Sequence, residues 1–183
     1  PLRVTAPSAI FANGTRTART EVGLPFSSPL TATGGLGPYT YTQTGELPPG
    51  IEFDATDGSL IGAAEEAGTF RFGVSVADAE GRTASFAGRI VVAERLAIVT
   101  RRLANGKVGT AYRSKLVATG GVRPFEWRIK RGPLPKGILF NKLTGAFLGK
   151  PGKPGTWVIT VEIVDGLRVK ATSNVVVVIA PAK

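Results

Sequence analysis

The sequence predicts an all-β chain of two tandem β-sandwich domains, residues 1–94 and 95–183, and three observations carry that reading. The first is self-similarity. Ala32-Thr33-Gly34-Gly35 returns as Ala118-Thr119-Gly120-Gly121, Leu47-Pro48-Pro49-Gly50-Ile51 as Leu134-Pro135-Lys136-Gly137-Ile138, and Ala67-Gly68-Thr69-Phe70 as Pro154-Gly155-Thr156-Trp157. The offset of 86 or 87 residues is a whole small domain, well above the roughly 20–50 residues of a solenoid unit. The second is a two-residue apolar period: Phe70, Phe72, Val74 and Val76 alternate with polar or small residues, as do Trp157, Ile159, Val161 and Ile163, the pattern of a sheet packed on one side. The third is punctuation, 13 Pro and 24 Gly between short runs rich in Val, Ile, Thr and Phe.

In chain order, copy one offers strands at Leu2–Thr5, Ser27–Thr33, Tyr39–Thr42, Ile51–Asp54, Ser59–Gly62, Thr69–Val76 and Thr83–Ala93. Copy two offers Leu96–Val99, Arg113–Thr119, Phe125–Arg128, Ile138–Asn141, Ala146–Gly149, Trp157–Val164 and Arg168–Ile179. About seven short strands in some 90 residues, parted by Gly and Pro turns, read as an Ig-like sandwich. Taking Leu2–Thr5 as the counterpart of Leu96–Val99 leaves copy one with about eight extra residues before Val22. The segment Pro7–Gly14 then reads as an inserted loop, and Ile10, Phe11 and Asn13 become binding candidates, since insertions in sandwich loops often bind.

Composition excludes several classes of chemistry. With no Cys and no His, there is no thiol nucleophile, no thiolate metal site and no imidazole base. Glu65 and Glu66 are adjacent and point to opposite faces of an extended chain, so they do not form the acid–base pair of a glycosidase. No enzyme activity is expected. The chain also lacks Met, which reads as a processed product or a fragment of a larger protein. No apolar run approaches the roughly 18 residues of a membrane span.

The net charge of +10 is unevenly spread. Residues 1–94 carry six Lys/Arg against ten Asp/Glu, whereas residues 95–183 carry seventeen against three. The first domain is acidic and the second basic. Arg101, Arg102, Arg128, Lys130, Arg131 and Lys136 are the cationic binding candidates of the second domain. No helix-turn-helix, stacking platform or zinc module accompanies them, so nucleic acid is disfavoured against an anionic glycan or an acidic protein. Opposite charges on the two domains also predict weak, salt-sensitive self-association, because exposed ion pairs contribute about 0–1 kcal/mol each.

The frame common to both copies is Val-Gly (Val22, Val108), Ala-Thr-Gly-Gly, Pro then aromatic-x-aromatic (Pro38/Tyr39/Tyr41, Pro124/Phe125/Trp127), Leu-Pro-x-Gly-Ile, Gly-x-x-x-Gly (Gly58/Gly62, Gly145/Gly149), Gly-Thr-aromatic and a closing Asp (Asp78, Asp165). It resembles the Ig-like domains of bacterial surface proteins, which are related to the cadherin-like domains of dystroglycan. The resemblance implies a cadherin-like sandwich in a larger secreted or cell-surface protein, acting in adhesion or spacing through protein or glycan contacts outside the cell. The alternatives are accessory domains of a secreted polysaccharide-degrading enzyme, or a decoration or tail module of a phage virion. Some relatives bind calcium, and Asp54, Asp57 and Asp78 are the candidate ligands here. The D-x-D-x-D-G spacing is absent, and Asn141 and Thr144 stand where copy one has Asp54 and Asp57. Calcium needs six to eight oxygens, so no cofactor is expected.

Overall fold

The computed structural model describes residues 9–182, which form strands and turns with no helix. Two compact units divide the chain at Glu94 and Arg95. In the first run β1 (Phe11–Asn13), β2 (Thr17–Glu21), β3 (Pro25–Ser28), β4 (Thr31–Thr33), β5 (Thr40–Gly45), β6 (Ile51–Phe53), β7 (Leu60–Ala63), β8 (Gly68–Ala77) and β9 (Thr83–Ala93). In the second run β10 (Ala97–Ile98), β11 (Gly106–Lys107), β12 (Tyr112–Lys115), β13 (Ala118–Thr119), β14 (Glu126–Arg131), β15 (Ile138–Asn141), β16 (Ala146–Gly149), β17 (Gly155–Val164) and β18 (Lys170–Ala180).

Each unit repeats one topology. A four-stranded sheet, β2-β9-β8-β5 or β11-β18-β17-β14, packs with a three-stranded sheet, β3-β7-β6 or β12-β16-β15, and a short pair, β1-β4 or β10-β13, lies beside them. The alternating residues meet between the sheets. Ile51 and Leu60 bury against Val74, Phe86 and Ile90 in the first unit, and Ile138 and Phe147 bury against Ile159, Val161 and Val175 in the second. Trp127 and Trp157 belong to the second core, the former buried and the latter half-buried against it. Burial of this apolar surface is the dominant favourable contribution to each fold.

Two sequence expectations change. The segment Phe11–Asn13 is not an inserted loop but strand β1, paired with β4 so that Phe11 lies opposite Thr33. This matches Ala97 opposite Thr119 in the second unit. The 86-residue offset therefore extends to the first strand, Ile10 takes the place of Leu96, and both are buried. The expected strand Leu2–Thr5 lies outside the described residues. Ser27–Thr33 and Arg113–Thr119 each break in two, because Leu30 and Leu116 turn into the core between strands that pair with different partners.

The Leu-Pro-x-Gly-Ile and Gly-x-x-x-Gly motifs meet at one close approach. The carbonyl of Gly50 accepts the Ala63 N–H at 2.9 Å, and a Cβ on Gly62 would fall 2.1 Å from that oxygen. Gly137 and Gly149 repeat the arrangement, at 2.0 Å. No side chain fits there, which explains the Gly of Leu-Pro-x-Gly-Ile and the second Gly of Gly-x-x-x-Gly.

The closing Asp knits each unit together. Asp78 ends β8 with its carboxylate buried and accepts the N–H groups of Leu36 (3.0 Å), Glu80 (3.0 Å) and Arg82 (2.9 Å), and the Arg82 guanidinium at 2.8 Å. Asp165 accepts the N–H groups of Val122 (2.8 Å), Leu167 (2.9 Å) and Val169 (2.8 Å). One carboxylate thus caps a hairpin and ties it to the Gly-Gly turn some 40 residues earlier. Burial pushes the Asp78 carboxyl up, but the donors from Leu36, Arg82 and Glu80 outweigh it and hold the pKa at about 2, below the ordinary 3.8. Both hairpins hold a left-handed residue at one position, where Gly81 has φ of 77° and its counterpart Arg168 has φ of 67°.

Two outcomes follow. Because the folded pKa of Asp78 is depressed, its stabilisation is present above about pH 4 and is lost as pH falls towards 2. Thermal melts of Asp78→Asn are expected to start lower at pH 6 and to fall less than wild type between pH 4 and 2; equal falls would refute this. Arg168→Gly relieves a left-handed residue that costs about 1–2 kcal/mol. Part of that gain is offset by greater freedom of the unfolded chain. The second unit is expected to gain up to about 1 kcal/mol, or about 4–8 °C for a domain of this size, whereas Arg168→Ala gives no such gain.

Candidate binding face of the second domain

Strands β12, β16 and β15 set six side chains on one outward face. Arg113, Leu148 and Leu139 lie in one row, and Lys115, Ala146 and Asn141 in the next. Val117 follows β12, and Leu143 and Thr144 lie at the edge of this face in the turn that joins β15 to β16. The alternate positions Tyr112, Phe147 and Ile138 point into the core. Leu139 is 75% exposed, Leu143 72%, Val117 56% and Leu148 37%. Single exposed apolar residues are ordinary, but here Leu139 and Leu148 share a face with two cations and no carboxylate, and Val117 and Leu143 lie at its edge. Exposed apolar surface gathered in this way is a feature of interaction sites.

The equivalent face of the first domain serves as an internal comparison. Ser27, Ile61 and Glu52 form its first row, and Pro29, Ser59, Asp54, Thr31, Asp57 and Thr56 occupy the other corresponding places on the face and at its edge. That face carries three carboxylates, no cation and one exposed large apolar residue, Ile61. The same fold therefore presents an acidic polar face in one copy and a cationic apolar face in the other.

Beside the second domain's face opens a groove of about 790 Å³. The buried Leu116 and Trp127 lie at its base, Phe125, Pro124 and Leu143 line it, and Lys115 and Arg123 bring two positive charges to it. The Arg123 guanidinium stacks over Phe125, 5.0 Å from the ring centroid, which fixes its orientation.

The cations singled out from the sequence are scattered. Arg128 and Lys130 lie on β14, on the outer side of the other sheet, and both ion-pair with the buried Glu162, Lys130 at 3.1 Å. Burial pushes the Glu162 carboxyl up, but the Lys130 and Arg128 donors and charges outweigh it and hold it below the usual range. One carboxylate thus partly offsets the charge of these two residues, both of which remain exposed. Arg131 forms no ion pair among the described residues. Arg101 donates to Ser173 Oγ at 2.8 Å and to the Ile98 carbonyl, and Arg102 donates to Asn105 Oδ1 at 3.2 Å. Lys136 is exposed in the Leu-Pro-Lys-Gly turn. In the first domain Ile10 is buried, while Phe11 is 58% exposed and Asn13 exposed on β1. Arg113, Lys115, Val117, Leu139, Leu143 and Leu148 escaped the motif search because each is unremarkable alone. Their signal is the substitution pattern between copies, above all Leu139 in place of Glu52.

The calcium candidates serve turns. Asp54 Oδ1 accepts the Thr56 N–H at 2.8 Å and the Thr56 hydroxyl at 2.6 Å, and Asp57 Oδ1 accepts the Ser59 N–H at 2.8 Å. Asn141 does the same work in the second domain, accepting from Leu143 and Thr144. Asp78 is engaged by the donors of its own hairpin. Among the described residues, no three acidic groups converge as metal ligands would.

The sequence matches the family model described as "Putative Ig domain" twice, over residues 8–93 and 97–180. No curated protein sequence matches it. Among solved structures it is similar to the three N-terminal domains of the outer capsid protein Hoc of bacteriophage RB49, with a TM-score of 0.57 and 12% identity over 96% of this chain and 71% of that one. It is also similar to extracellular domains 3–5 of Drosophila OTK, with a TM-score of 0.54 and 14% identity over 92% of this chain and 61% of that one. Cadherin domains 3–6 of protocadherin gamma B2 give a TM-score of 0.48 and 13% identity over 96% of this chain and 52% of that one. The chain thus spans less than two thirds of the latter two. At such identities the likeness is one of fold, and the two family matches cover nearly the whole chain: it belongs to the Putative Ig domain family and holds two tandem copies of that domain.

Proposed function

We propose that this chain is a non-catalytic Ig-like repeat module of a larger cell-surface or secreted protein, acting in adhesion or spacing, and that its second domain makes the contact. The observation that carries the reading is the divergence of one face between two copies of one fold: Arg113, Lys115, Leu139, Leu143, Leu148 and Val117 in the second domain replace Ser27, Pro29, Glu52, Thr56, Ile61 and Thr31 in the first. Core positions in both copies remain apolar, as packing requires. The new face joins positive charge to exposed leucine. Positive charge alone would suit any polyanion, whereas apolar surface is buried usefully only by a partner with apolar side chains of its own. An acidic protein surface fits this face better than an anionic glycan. Ig-like and cadherin-like domains are in general non-catalytic, and the absence of His and Cys supports the same reading here.

The test is binding of the full chain to three probes: heparin, poly-glutamate, and a random copolymer of glutamate and tyrosine. The copolymer is expected to bind most tightly, with affinity falling as salt rises, since the Debye length is already about 8 Å at physiological ionic strength. Arg113→Glu/Lys115→Glu is expected to weaken binding of every probe, and Leu139→Ser/Leu143→Ser that of the copolymer alone. Unchanged copolymer binding in both variants would overturn the reading.

A further inference from the structure

The acidic surface that fits this face lies within the same chain. We propose that the outer face of β12-β16-β15 in one molecule docks on the outer face of β3-β7-β6 in a second copy, pairing unlike domains head to tail. The proposal rests on the reading of the second domain's face as its contact surface, and it names the partner.

The two faces are built on the same three-stranded frame, with the same rows. Arg113, Leu148 and Leu139 correspond to Ser27, Ile61 and Glu52. One face carries Arg113 and Lys115 without a carboxylate, the other Glu52, Asp54 and Asp57 without a cation. Like faces would repel each other in either homotypic pairing, whereas the mixed pairing sets each charge near its opposite. Exposed Ile61 gives the leucines of the opposing face an apolar neighbour. The turn bonds of Asp54 and Asp57 each engage Oδ1, so a second oxygen of each is available to an incoming cation.

Size sets the strength. Three strands about 4.8 Å apart, over some six residues, span only a few hundred Å² per side, below the roughly 800 Å² per partner of a stable complex. The association is therefore weak and transient. It strengthens when many copies are held on one surface.

Sedimentation velocity of the full chain tests this across a concentration series at low and high salt. Wild type is expected to show a concentration-dependent rise in sedimentation coefficient at low salt that high salt removes. Arg113→Glu/Lys115→Glu disables one face and Ser27→Lys/Glu52→Lys the other. All four positions are exposed, and an unchanged circular dichroism melt verifies folding. Each variant alone is expected to stay monomeric, and an equimolar mixture to associate, because each keeps the face the other lacks. A monomeric wild type at low salt, variants that associate as wild type does, or a mixture that stays monomeric would each overturn the proposal. If wild type stays monomeric yet binds the glutamate–tyrosine copolymer through Arg113 and Lys115, self-docking falls and the contact face itself stands.

Discussion

The period of the pleat governs this protein. In an extended strand successive side chains point to opposite sides, so every sheet has a face committed to the core and a face released from it. In both copies the committed positions hold apolar residues, the same in Val74 and Val161 and of different shape in Leu60 and Phe147. The released positions obey no such demand, and they are where the copies part. Glu52 and Leu139 occupy the same place in the same sheet and could hardly differ more in chemistry. Duplication of a fold gives two scaffolds of one shape whose outer faces can diverge at little cost to either core.

Hydrogen-bond saturation holds the ends of the sandwich as packing holds its middle. A buried acceptor satisfied by several backbone donors is stable in its charged form, and removing it strands every donor at once. Asp78 and Asp165 each gather N–H groups from their own hairpin and from the distant Gly-Gly turn. Local turn chemistry and long-range tethering are thus performed by one side chain. Asp54 and Asn141 show the lesser version, closing a single turn. A carboxylate engaged through both oxygens, as Asp78 is, is poorly placed to gather with others around an ion.

Charge in the second domain divides by partner. Glu162 draws Arg128 and Lys130 together on β14 and partly screens the densest cationic run in the sequence. Arg113 and Lys115 stand beside exposed leucine and valine instead, with no carboxylate on their face. Charge next to apolar surface steers an encounter and then allows desolvation to hold it, whereas charge next to an internal counter-ion does neither.

The amino-acid sequence alone determined the fold class, the duplication and the turns, because period, punctuation and repeat offset are local or self-referential signals. It read Phe11–Asn13 as part of a loop, because a three-residue strand carries too little period to be distinguished from one. It also directed attention to Arg128, Lys130 and Arg131, since a run of like charge is visible along a chain. The face formed by Arg113, Lys115, Leu139 and Leu148, with Leu143 at its edge, joins the local hairpin of β15 and β16 to β12 some 30 residues earlier, and neither that joining nor the internal pairing of Glu162 is written in any short stretch. Only the tertiary structure decided which cations share a carboxylate within the domain and which stand beside exposed leucine, because neighbourhood across a sheet is fixed by register rather than by distance along the chain.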